Sequence, residues 1–517
     1  MRQPRETELK FLAAPEDLER IAKAEFLASA EHLCSASIRT SYFDTPDRDF
    51  RKHGLLVRVR NFGDHWIQSV KQASGVERFE SEREIDEPSP SLRLPGDLPP
   101  SCGVTCADNL KEQFASQVQR KTFLLAASGA VIEIAFDRGD IVTPDGKIQQ
   151  ISEIELELKD GDPAGLFGLA RQLAENAPVS FSLLSKGERG FLLAEKQSGL
   201  PHKASKVHLS RELSVAQSFA AIGRMLLHDF MLNLSPPPPA SVRVSDQILD
   251  VETVHQTRVA IRRLRAAMNF FRPCVEDQEF AQLKDGLRWI SGLLGAARNF
   301  DVWQEETLGR KVASLKVAEG YRELSAAMEE KRLHSHQELT EAIGSLRLRL
   351  LILDLAIWLE AGEWRSTGKP ADMTPLIDFV KPRMRAAARK LRRQGRNFAT
   401  LGKEQQHALR IRAKKLRYCI EFFLDLFETS RGRRRAKKLL RALEDLQASI
   451  GKMHDDDSLG DFLADAFVGG RHDRERRLSP TAAFAAGRLC ASHPRRKKLE
   501  RKAAKGFAKF AGTRISV

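Results

Sequence analysis

The sequence predicts an α+β protein of two domains, the first built from antiparallel strands and the second built only from helices. Three observations lead to this prediction. Strand-like alternation dominates residues 1–200, and a helical periodicity of 3.6 residues dominates the rest. Residues 1–200 hold 25 Lys and Arg against 32 Asp and Glu, a net charge of −7, whereas the remainder carries +22. The helical part also contains an internal repeat. We therefore predict domains at 1–200 and 205–517.

Length and composition restrict the class of protein. A chain of 517 residues is long enough for two domains with separate cores. It contains no run of about 18 apolar residues, and its first ten residues lack the apolar stretch of a signal peptide. We therefore expect a cytoplasmic protein without a membrane partner. The six cysteines are scattered, which favours free thiols over a disulfide framework.

The first strand is predicted at "ETELKF", residues 6–11. Successive side chains of a strand point to opposite faces, so Glu6, Glu8 and Lys10 share one face and the apolar residues share the other. A solvated strand face would explain this stretch if it stood alone. The same charged alternation recurs along the domain, however, in the following stretches: "LLVRVR" with Arg58 and Arg60, "ERFESEREI" with Arg78, Glu80, Glu82 and Glu84, "VIEIAFDRG" with Glu133 and Asp137, and "SEIELELK" with Glu153, Glu155, Glu157 and Lys159.

Carboxylates at every second position of a strand repel one another unless a cation lies between them. Solvated strand faces usually avoid this arrangement by including Thr, Ser and Gln. The repeated acidic pattern therefore favours a face that binds a divalent metal ion.

Two segments are predicted to lie outside regular structure. Residues 86–103 are rich in Pro, Gly and Ser and are typical of a surface loop. Residues 235–246 contain four consecutive prolines and are typical of an extended spacer between helices.

The helical domain is predicted from an internal repeat. "HQTRVAIRRLR" begins at His255 and "HALRIRAKKLR" begins at His407, and both follow H-x-x-R-x-x-x-[RK]-[RK]-x-R. At 100° per residue, offsets of 3, 7 and 10 from each histidine fall on one helical stripe. Each repeat thus predicts a basic stripe: His255, Arg258, Arg262 and Arg265 in the first, and His407, Arg410, Lys414 and Arg417 in the second. We interpret Arg263 and Lys415 as residues that flank these stripes.

These stripes indicate a polyanion as the partner of the helical domain. A solvated basic face is the alternative, but neither stripe contains an acidic residue that would relieve the repulsion. Single-stranded nucleic acid would call for aromatic platforms, of which this half has few, and no sequence-specific nucleic-acid motif is present. Inorganic polyphosphate, which is all charge and no base, fits better, so we expect no specific nucleic acid partner.

Residues 1–200 resemble the CYTH domain of the triphosphate tunnel metalloenzymes. The resemblance begins with the E-x-E-x-K strand of Glu6, Glu8 and Lys10 and continues through nearly the whole segment. The further matching pieces, in order, are "YFDTPD" (42–47), "LLVRVR", Lys71, "RFESE", "FDRG" (136–139), "ELELK" (155–159) and "SKGERG" (185–190).

The C-terminal half resembles the CHAD domain, an α-helical module. The two H-x-x-R stripes carry this resemblance, together with "LLGAARNFD" (293–301) and "LEDLQASIGKMHDDD" (443–457). The resemblance implies a tandem helical-bundle repeat that binds polyphosphate.

The CYTH resemblance implies an eight-stranded antiparallel β tunnel whose charged face points inward. Lys10, Glu6 and Glu8 are implied as catalytic residues, and Mg²⁺ or Mn²⁺ as the cofactor. The implied metal ligands are Glu6, Glu8, Asp137, Glu153, Glu155 and Glu157. The implied phosphate-binding residues are Arg58, Arg60, Lys71, Arg78, Arg120, Lys186 and Arg189.

The resemblance implies an inorganic triphosphatase that cleaves tripolyphosphate to pyrophosphate and phosphate, with long-chain polyphosphate as a second partner. Relatives of this kind also hydrolyse thiamine or nucleoside triphosphates or act as adenylate cyclases, and these activities remain alternatives. A tyrosine near the lysine is typical of the thiamine enzymes, and Tyr42 lies within a strand motif here. A polyphosphate-binding scaffold without catalysis is the remaining alternative.

Overall fold

The structure is a computed structural model of the chain. It describes residues 7–61, 63, 65–72, 80–92, 98, 109–197, 200–234, 249–304, 319–366, 368, 373–427, 429–467, 479–491 and 496–513.

The N-terminal part of the chain forms one antiparallel sheet. Its nine strands are β1 (Glu8–Leu12), β2 (Glu31–Asp44), β3 (Leu55–Asn61), β4 (Trp66–Gln72), β5 (Glu80–Ile85), β6 (Lys111–Ala127), β7 (Ala130–Val142), β8 (Ile148–Gly161) and β9 (Ser180–Ser182). They are hydrogen-bonded in the order β5-β4-β3-β2-β6-β7-β8-β1-β9.

The predicted antiparallel sheet is confirmed, but the predicted closed eight-stranded tunnel is wrong for the part of the chain that the structure describes. The sheet has nine strands and is open, with β5 and β9 as its two edges. The additional strand β9 spans three residues and pairs with β1, where Phe11 is opposite Phe181. It lies on the side of β1 that faces away from β8, and the described sheet ends there.

Alternation gives the sheet one apolar face and one charged face. On β3, Leu55, Val57 and Val59 pack with Phe50 in a buried apolar cluster. Arg58 and Arg60 lie between them in sequence and therefore project to the opposite side. Because side chains alternate with a period of two residues, each strand places its apolar residues in the core and its charged residues on the opposite face.

Two local features stabilise the ends of the strands. Ser128 and Gly129 join β6 to β7 with φ of 51° and 74°, the two left-handed residues that a tight hairpin turn requires. In the "YFDTPD" stretch, buried Asp44 accepts hydrogen bonds from the backbone N–H groups of Thr45, Phe50 and Arg51. The motif therefore fastens the end of β2 to the short helix that follows.

The remaining elements are helices. They are α1 (Pro15–Ile21), α2 (Asp49–Lys52), α3 (Pro163–Asn176), α4 (Lys186–Ala194), α5 (Val215–Leu234), α6 (Val251–Val275), α7 (Phe280–Val302), α8 (Glu319–Gly344), α9 (Leu346–Ala361), α10 (Leu376–Gly395), α11 (Lys403–Phe422), α12 (Ser430–Phe467), α13 (Pro480–Ala491) and α14 (Arg496–Ala511). Short 3₁₀ turns lie at Glu25–Leu27, Glu363–Arg365, Phe398–Thr400 and Leu424–Leu426.

An aromatic cluster joins four helices of the C-terminal part. Phe271 on α6 stacks on Phe379 of α10 at 5.5 Å between ring centroids and meets Phe219 of α5 at 5.2 Å. Phe423, directly after α11, lies 6.0 Å from the same ring. Burying four aromatic rings together contributes several kcal/mol, on the order of 2 kcal/mol or more for each. The C-terminal part is therefore a helical domain with its own core, as predicted.

The chain packs into two compact units. The first consists of Met1–His202, Leu227–Gln247 and Ala342–Ala361, and the second of Lys203–Leu226, Ile248–Glu341 and Gly362–Val517. The helical residues of the first unit are attached to α3: Arg349 donates to the carbonyl oxygens of Ala174 and Ala177, and Asp354 pairs with Arg171. The domain limits 1–200 and 205–517 stay a prediction.

Candidate active site

The charged face of the sheet lines a cavity of about 390 Å³. Strands β1 to β8 and the beginning of α4 all contribute side chains to it. Carboxylates come mainly from the neighbouring strands β1, β7 and β8, whereas β3, β4 and β6 contribute cations. The cavity therefore has an acidic wall and a basic wall.

The deepest part of the acidic wall is a cluster of three carboxylates. Asp137 on β7 is opposite Glu153 on β8, and Glu155 follows two residues later on the same face. Carboxylate oxygens of these residues lie within 4.8 Å of one another. Asp137 and Glu153 are fully buried. Three acids this close repel strongly unless cations are placed between them.

Among the described residues, four cations contact this cluster: Lys10, Lys186 and Arg120, which line the cavity, and Arg189, which contacts Glu153. Lys10 Nζ lies 2.8 Å from Glu155, and Lys186 Nζ lies 2.6 Å from Asp137 and 2.9 Å from Glu155. Arg120 donates to both oxygens of Asp137 at 2.7 and 2.5 Å and also contacts Glu155. Lys10 and Asp137 come from strands on either side of β8, so the sheet register brings them to Glu153 and Glu155, while Lys186 reaches the cluster from α4.

Burial and charge oppose each other in this cluster, and charge prevails. Burial by itself would lower the pKa of Lys10, but Glu155, Glu153 and Glu8 raise it well above its usual value. The same balance raises the pKa of Lys186 and of Arg120. Burial would raise the pKa of Glu155, yet Lys10, Lys186 and Arg120 hold it well below its usual range. Glu155 and the three cations beside it are therefore charged at neutral pH.

A second row of carboxylates lies towards the mouth of the acidic wall. Glu8 is opposite Glu157, and Glu157 is opposite Glu133, so three acids stand side by side on β1, β8 and β7. Lys159 lies 2.8 Å from Glu157 and 3.4 Å from Glu133. The Glu8 side chain is 41% exposed and the other two are 25% exposed, so this row is reachable from the cavity.

The basic wall is formed by Arg58 and Arg60 of β3 and Lys71 of β4. Burial and the neighbouring Arg58 lower the pKa of Arg60 to about 10, because a buried cation beside other cations is destabilised. Glu82 offsets part of this charge: it lies 3.5 Å from Arg58 and accepts a 2.7 Å hydrogen bond from Ser69. A bound anion would stabilise this wall.

The segment "SKGERG" places Lys186 at the first turn of α4. Ser185 caps this helix by accepting from the Glu188 backbone N–H at 3.1 Å, and the Glu188 carboxylate accepts from the Ser185 N–H at 2.9 Å. This capping box is worth about 1 kcal/mol to the helix start. It fixes the backbone from which Lys186 reaches the acidic cluster.

Two predicted site residues lie behind the cavity wall. Arg189 donates to Glu153 at 2.8 Å and to the Gln150 carbonyl oxygen at 2.6 Å, and both Arg189 and Glu153 are buried. Neither is among the described residues that line the cavity. Their position suits them to hold Lys10 and Lys186 in place from behind.

The other predicted residues of the first domain divide into two groups. Glu6 and Arg78 lie outside the described residues. The remaining ones line the same cavity: Glu8, Lys10, Arg58, Arg60, Lys71, Arg120, Asp137, Glu155, Glu157 and Lys186.

Sequence reasoning missed several lining residues. Alternation places Glu82 and Glu133 on charged faces, which would have been sufficient to include them in the site. Ser185 and Glu188 lie in a quoted motif, and their capping box is readable from the spacing S-x-x-E.

The first basic stripe lies on α6. His255, Arg258, Arg262 and Arg265 are all half-buried, as expected for a helix face that borders another helix. Arg265 Nη1 donates to the Ser291 hydroxyl of α7 at 3.1 Å. Burial, then Arg288 and Arg262, lower the pKa of Arg265, which marks a surplus of positive charge along this stripe.

The second stripe lies on α11 at the corresponding places. His407, Arg410, Lys414 and Arg417 are half-buried and Lys415 is exposed. Arg417 pairs with Glu421 at 2.7 Å, so an acid one turn beyond the stripe neutralises its last member. The basic stretch is therefore shorter here than the sequence pattern alone suggests.

Arg263 does not flank the first stripe. It is 5% exposed, donates two 3.2 Å hydrogen bonds to the Ser205 carbonyl oxygen and lies over the Phe422 ring at 5.2 Å. We therefore omit Arg263 from the candidate polyanion surface.

The two stripe histidines are held neutral. Burial, Arg298, Arg262 and Arg258 lower the pKa of His255, and Glu252 only partly offsets them. Burial, Arg410 and Lys414 lower the pKa of His407. Both imidazoles therefore lack a charge at neutral pH, but would gain one more easily beside a bound anion.

The donor set of the acidic wall fits a hard divalent cation. Carboxylate oxygens are the ligands that Mg²⁺ and Mn²⁺ prefer. Among the described residues, Asp137, Glu153 and Glu155 have oxygens within 4.8 Å of one another, and Glu8, Glu157 and Glu133 are neighbours in the strand register. The buried group already has cationic partners in the described structure. The row of Glu8, Glu133 and Glu157 is more exposed and has fewer cationic contacts. Metal binding is thus chemically suited to this wall.

None of the helices in the described ranges combines the length and the apolar character needed to cross a membrane.

Comparison with known proteins identifies both parts of the chain. The family model of the CYTH domain matches residues 4–191, and that of the CHAD domain matches residues 241–464. The crystal structure of the CHAD domain from the plant Ricinus communis has 25% sequence identity and a TM-score of 0.50, covering 61% of this chain and 98% of that one.

A curated relative from Haemophilus influenzae, named inorganic triphosphatase, is 29% identical over 207 residues. The match covers 37% of this chain and 56% of the relative, so the chain spans little more than half of that protein's length. With both family models matched in order, the chain is a CYTH–CHAD protein, with an N-terminal CYTH domain and a C-terminal CHAD domain.

Proposed function

We propose that the cavity hydrolyses a linear triphosphate, with inorganic tripolyphosphate as the substrate and pyrophosphate and phosphate as products. The observation that carries this proposal is the division of one cavity into a basic wall and an acidic wall. A triphosphate needs cations along its length, and its hydrolysis needs carboxylates near the phosphorus that is attacked. The inorganic triphosphatase from Haemophilus influenzae supports the same substrate class.

The basic wall is proposed to bind the phosphates. Arg58 and Arg60 present guanidinium groups that can donate pairs of hydrogen bonds to phosphate oxygens, and Lys71 adds a point charge. An anion would also relieve the repulsion that lowers the pKa of Arg60. The charge that develops on the phosphate oxygens during reaction would be met by donors already in place.

The acidic wall is proposed to hold the metal. Glu8, Glu155, Glu157 and Asp137 on the cavity surface, with Glu6, would supply oxygen ligands to Mg²⁺ or Mn²⁺. When bound, such an ion neutralises phosphate charge and makes water a better nucleophile. We assign Glu153, which lies behind this surface, the role of holding Lys186 and Arg189.

The proposed reaction is an in-line displacement by water. The water oxygen forms a bond to the terminal phosphorus as the bridging P–O bond breaks, and the pyrophosphate oxygen keeps that electron pair. We propose that the Glu133 carboxylate, which is not among the assigned metal ligands, accepts the water proton, and that Lys10 and Lys186 keep the inner acids oriented. Each of these groups is already fixed by its strand or helix.

The composition of the cavity favours the smallest substrate. Tyr42 is its one aromatic lining residue among those described, and it stacks on Phe114 at 4.5 Å, so it is already covered on one side. A nucleotide or thiamine triphosphate would need a platform for its ring. Adenylate cyclase, thiamine or nucleoside triphosphatase and catalytically inactive scaffold remain the alternatives.

One assay tests this proposal. Phosphate release is measured from tripolyphosphate, ATP, thiamine triphosphate and long-chain polyphosphate, with Mg²⁺, Mn²⁺ or EDTA, and cyclic AMP is measured in the ATP reaction. We expect tripolyphosphate to have the highest kcat/KM and EDTA to abolish turnover. Preference for ATP with cyclic AMP as product would replace the proposal with a cyclase, and no turnover of any substrate would favour the scaffold.

We further propose that the helical domain binds long-chain polyphosphate along the two basic stripes. Half-buried cations in both repeats and the lowered pKa of both histidines and of Arg265 support a surface that gains stability from an anion. The resemblance of the two H-x-x-R stripes to the CHAD domain implies the same class of partner. A flexible anion without bases can follow both stripes.

A further inference from the structure

Each basic stripe has an arginine that lies against a glycine of another helix. A Cβ atom added to Gly295 of α7 would stand 3.8 Å from Nη2 of Arg258. A Cβ atom added to Gly451 of α12 would stand 3.3 Å from Nη2 and 3.6 Å from Nε of Arg410. In both cases the arginine is the one in H-x-x-R, three residues after the stripe histidine.

The internal repeat therefore extends beyond the two stripes. Gly295 is followed by Arg298 and Asp301, and Gly451 is followed at the same spacing by His454 and Asp457, giving G-x-x-[RH]-x-x-D in each repeat. Each repeat thus pairs an H-x-x-R helix with a glycine-bearing helix, and the contact between arginine and glycine recurs.

Glycine in the interior of a helix is unfavourable compared with alanine, because it loses more conformational freedom on folding. Gly292, one turn before Gly295 on the same helix, has open space around the position of a Cβ atom. Gly295 and Gly451 instead adjoin a guanidinium group. A Cβ atom at residue 451 would be tight against Arg410, whereas one at residue 295 would lie at ordinary contact distance from Arg258, so that only a larger side chain there would press on the guanidinium group.

We infer that Gly295 and Gly451 are positioning residues for phosphate binding, each seating the H-x-x-R arginine of its repeat in a defined orientation. An arginine laid against a helix surface has fewer rotamers to lose when its planar fork meets phosphate oxygens. The two repeats then provide two equivalent phosphate-binding sites, one with Arg258 against Gly295 and one with Arg410 against Gly451. This inference rests on the proposed polyphosphate binding by the helical domain.

The test uses the full chain and labelled long-chain polyphosphate at one fixed salt concentration. Gly295→Val and Gly451→Val should each weaken binding about tenfold, the equivalent of one charge-assisted contact. Gly292→Val, the matched control on the same helix, should bind within about twofold of the parent, since its side chain reaches no arginine. Melting temperatures of all three should stay close to the parent.

A second pair of variants tests whether a loss of binding results from loss of folding. Alanine strengthens a helix relative to glycine, and its Cβ atom would be tight at residue 451 but at ordinary contact distance at residue 295. Gly451→Ala should therefore weaken binding more than Gly295→Ala, without a lower melting temperature.

A double-mutant cycle separates positioning from general damage. In an Arg258→Ala background, Gly295→Val should have no further effect on affinity, because the arginine it displaces is gone. Equal losses in both backgrounds, or unchanged binding by both valine variants, would overturn the inference while leaving polyphosphate binding in place. Absence of binding by the parent chain would overturn both.

Discussion

At the scale of single residues, the basic wall of the cavity consists of side chains that we expect an anion to stabilise. Arg60 is the clearest case, because burial and Arg58 lower its pKa to about 10. Arg39, on the neighbouring strand, is 54% exposed and pairs with Glu112 at 3.4 Å. The two arginines therefore differ in the face they occupy, and this difference can be tested.

We predict that Arg60→Ala lowers kcat/KM for tripolyphosphate by an amount equivalent to about 2–4 kcal/mol, because donors to the developing phosphate charge are lost. Arg39→Ala is the matched control and should leave kcat/KM unchanged. Steady-state kinetics decide the matter. A change of less than about threefold for Arg60→Ala would show that it does not contact the substrate.

Glu8 and Glu153 belong to the same charged strand pattern, but we expect Glu8 to take part in metal binding and Glu153 to stabilise the fold. Glu153 is fully buried, so Glu153→Gln removes the carboxylate that pairs with Arg189 and one of the three carboxylates that contact Lys186. We expect a loss of about 3–5 kcal/mol in the free energy of unfolding, measured by urea denaturation. Glu8→Gln, at a half-exposed place, should change that free energy by less than about 1 kcal/mol yet abolish metal-dependent turnover.

Two results would contradict this division. One is a Glu153→Gln variant as stable as the parent, which would mean that its cations find other partners. The other is full turnover by Glu8→Gln with unchanged dependence on Mg²⁺, which would remove Glu8 from the metal site.

At the scale of elements, α4 is held from two sides. Its capping box fixes its first turn, and His228 of α5 lies 3.6 Å from the carboxylate of Glu188. Burial would lower the pKa of His228, but Glu188 and Asp229 raise it above its usual value. His202 lies near by, at 6.4 Å between ring centroids. The protonated histidine therefore secures the helix that carries Lys186.

This contact predicts a pH dependence of stability. A histidine whose pKa is raised on folding contributes stability that is complete below about 6.5, its unfolded value, and is lost as pH rises through the higher folded value. The urea midpoint of the parent should thus fall between pH 6 and pH 8.5, and His228→Gln should remove part of that fall. His208→Gln, at a mostly exposed residue, is the control. Equal pH slopes for parent and His228→Gln would exclude the contribution.

The strands show how far the sequence predicts structure. Period-two alternation correctly gives the antiparallel strands and the charged face, because it depends on local backbone geometry alone. It cannot give the order of strands or the closure of a sheet, which depend on pairing between distant segments. The short strand β9 lies in a stretch too brief for a pattern, and it occupies the edge beside β1 that a closed tunnel would need.

The helices likewise show that helical periodicity can be read from the sequence, whereas the burial of individual side chains depends on tertiary contacts. Arg263 and Lys415 have the same offset of eight from their histidines, about 80° round the helix and away from the stripe. One is buried under Phe422 and the other is exposed, because their neighbours differ. His228 belongs to a segment that neither family model matches, and only its contact with Glu188 reveals a link to the site.

At the scale of the whole molecule, the two parts of the chain carry net charges of opposite sign. The first 200 residues carry a net charge of −7 and the remainder +22. Six described cations of the acidic part line one cavity, whereas the two repeats of the basic part each carry a stripe of basic residues. We expect the two surfaces to bind phosphate chains of different length, so variants in one surface should leave the function of the other unchanged.

The final prediction separates the two surfaces in the full chain. Arg258→Glu with Arg262→Glu should abolish most binding of long-chain polyphosphate, because both charges of one stripe are reversed. Tripolyphosphate hydrolysis should persist, since Arg58, Arg60 and Lys71 supply that cavity's own cations.

Salt and pH give the physical signature of this binding. Affinity should fall steeply with salt, because a polyanion held by many cations releases its counterions. It should rise as pH falls, because His255 and His407 have lowered pKa values in the free protein and take up protons when an anion approaches. Calorimetric titrations in buffers of different ionisation enthalpy would measure this proton uptake. Equally tight binding of single-stranded RNA of matched charge, or unchanged polyphosphate binding by the charge-reversed variant, would contradict the polyphosphate assignment.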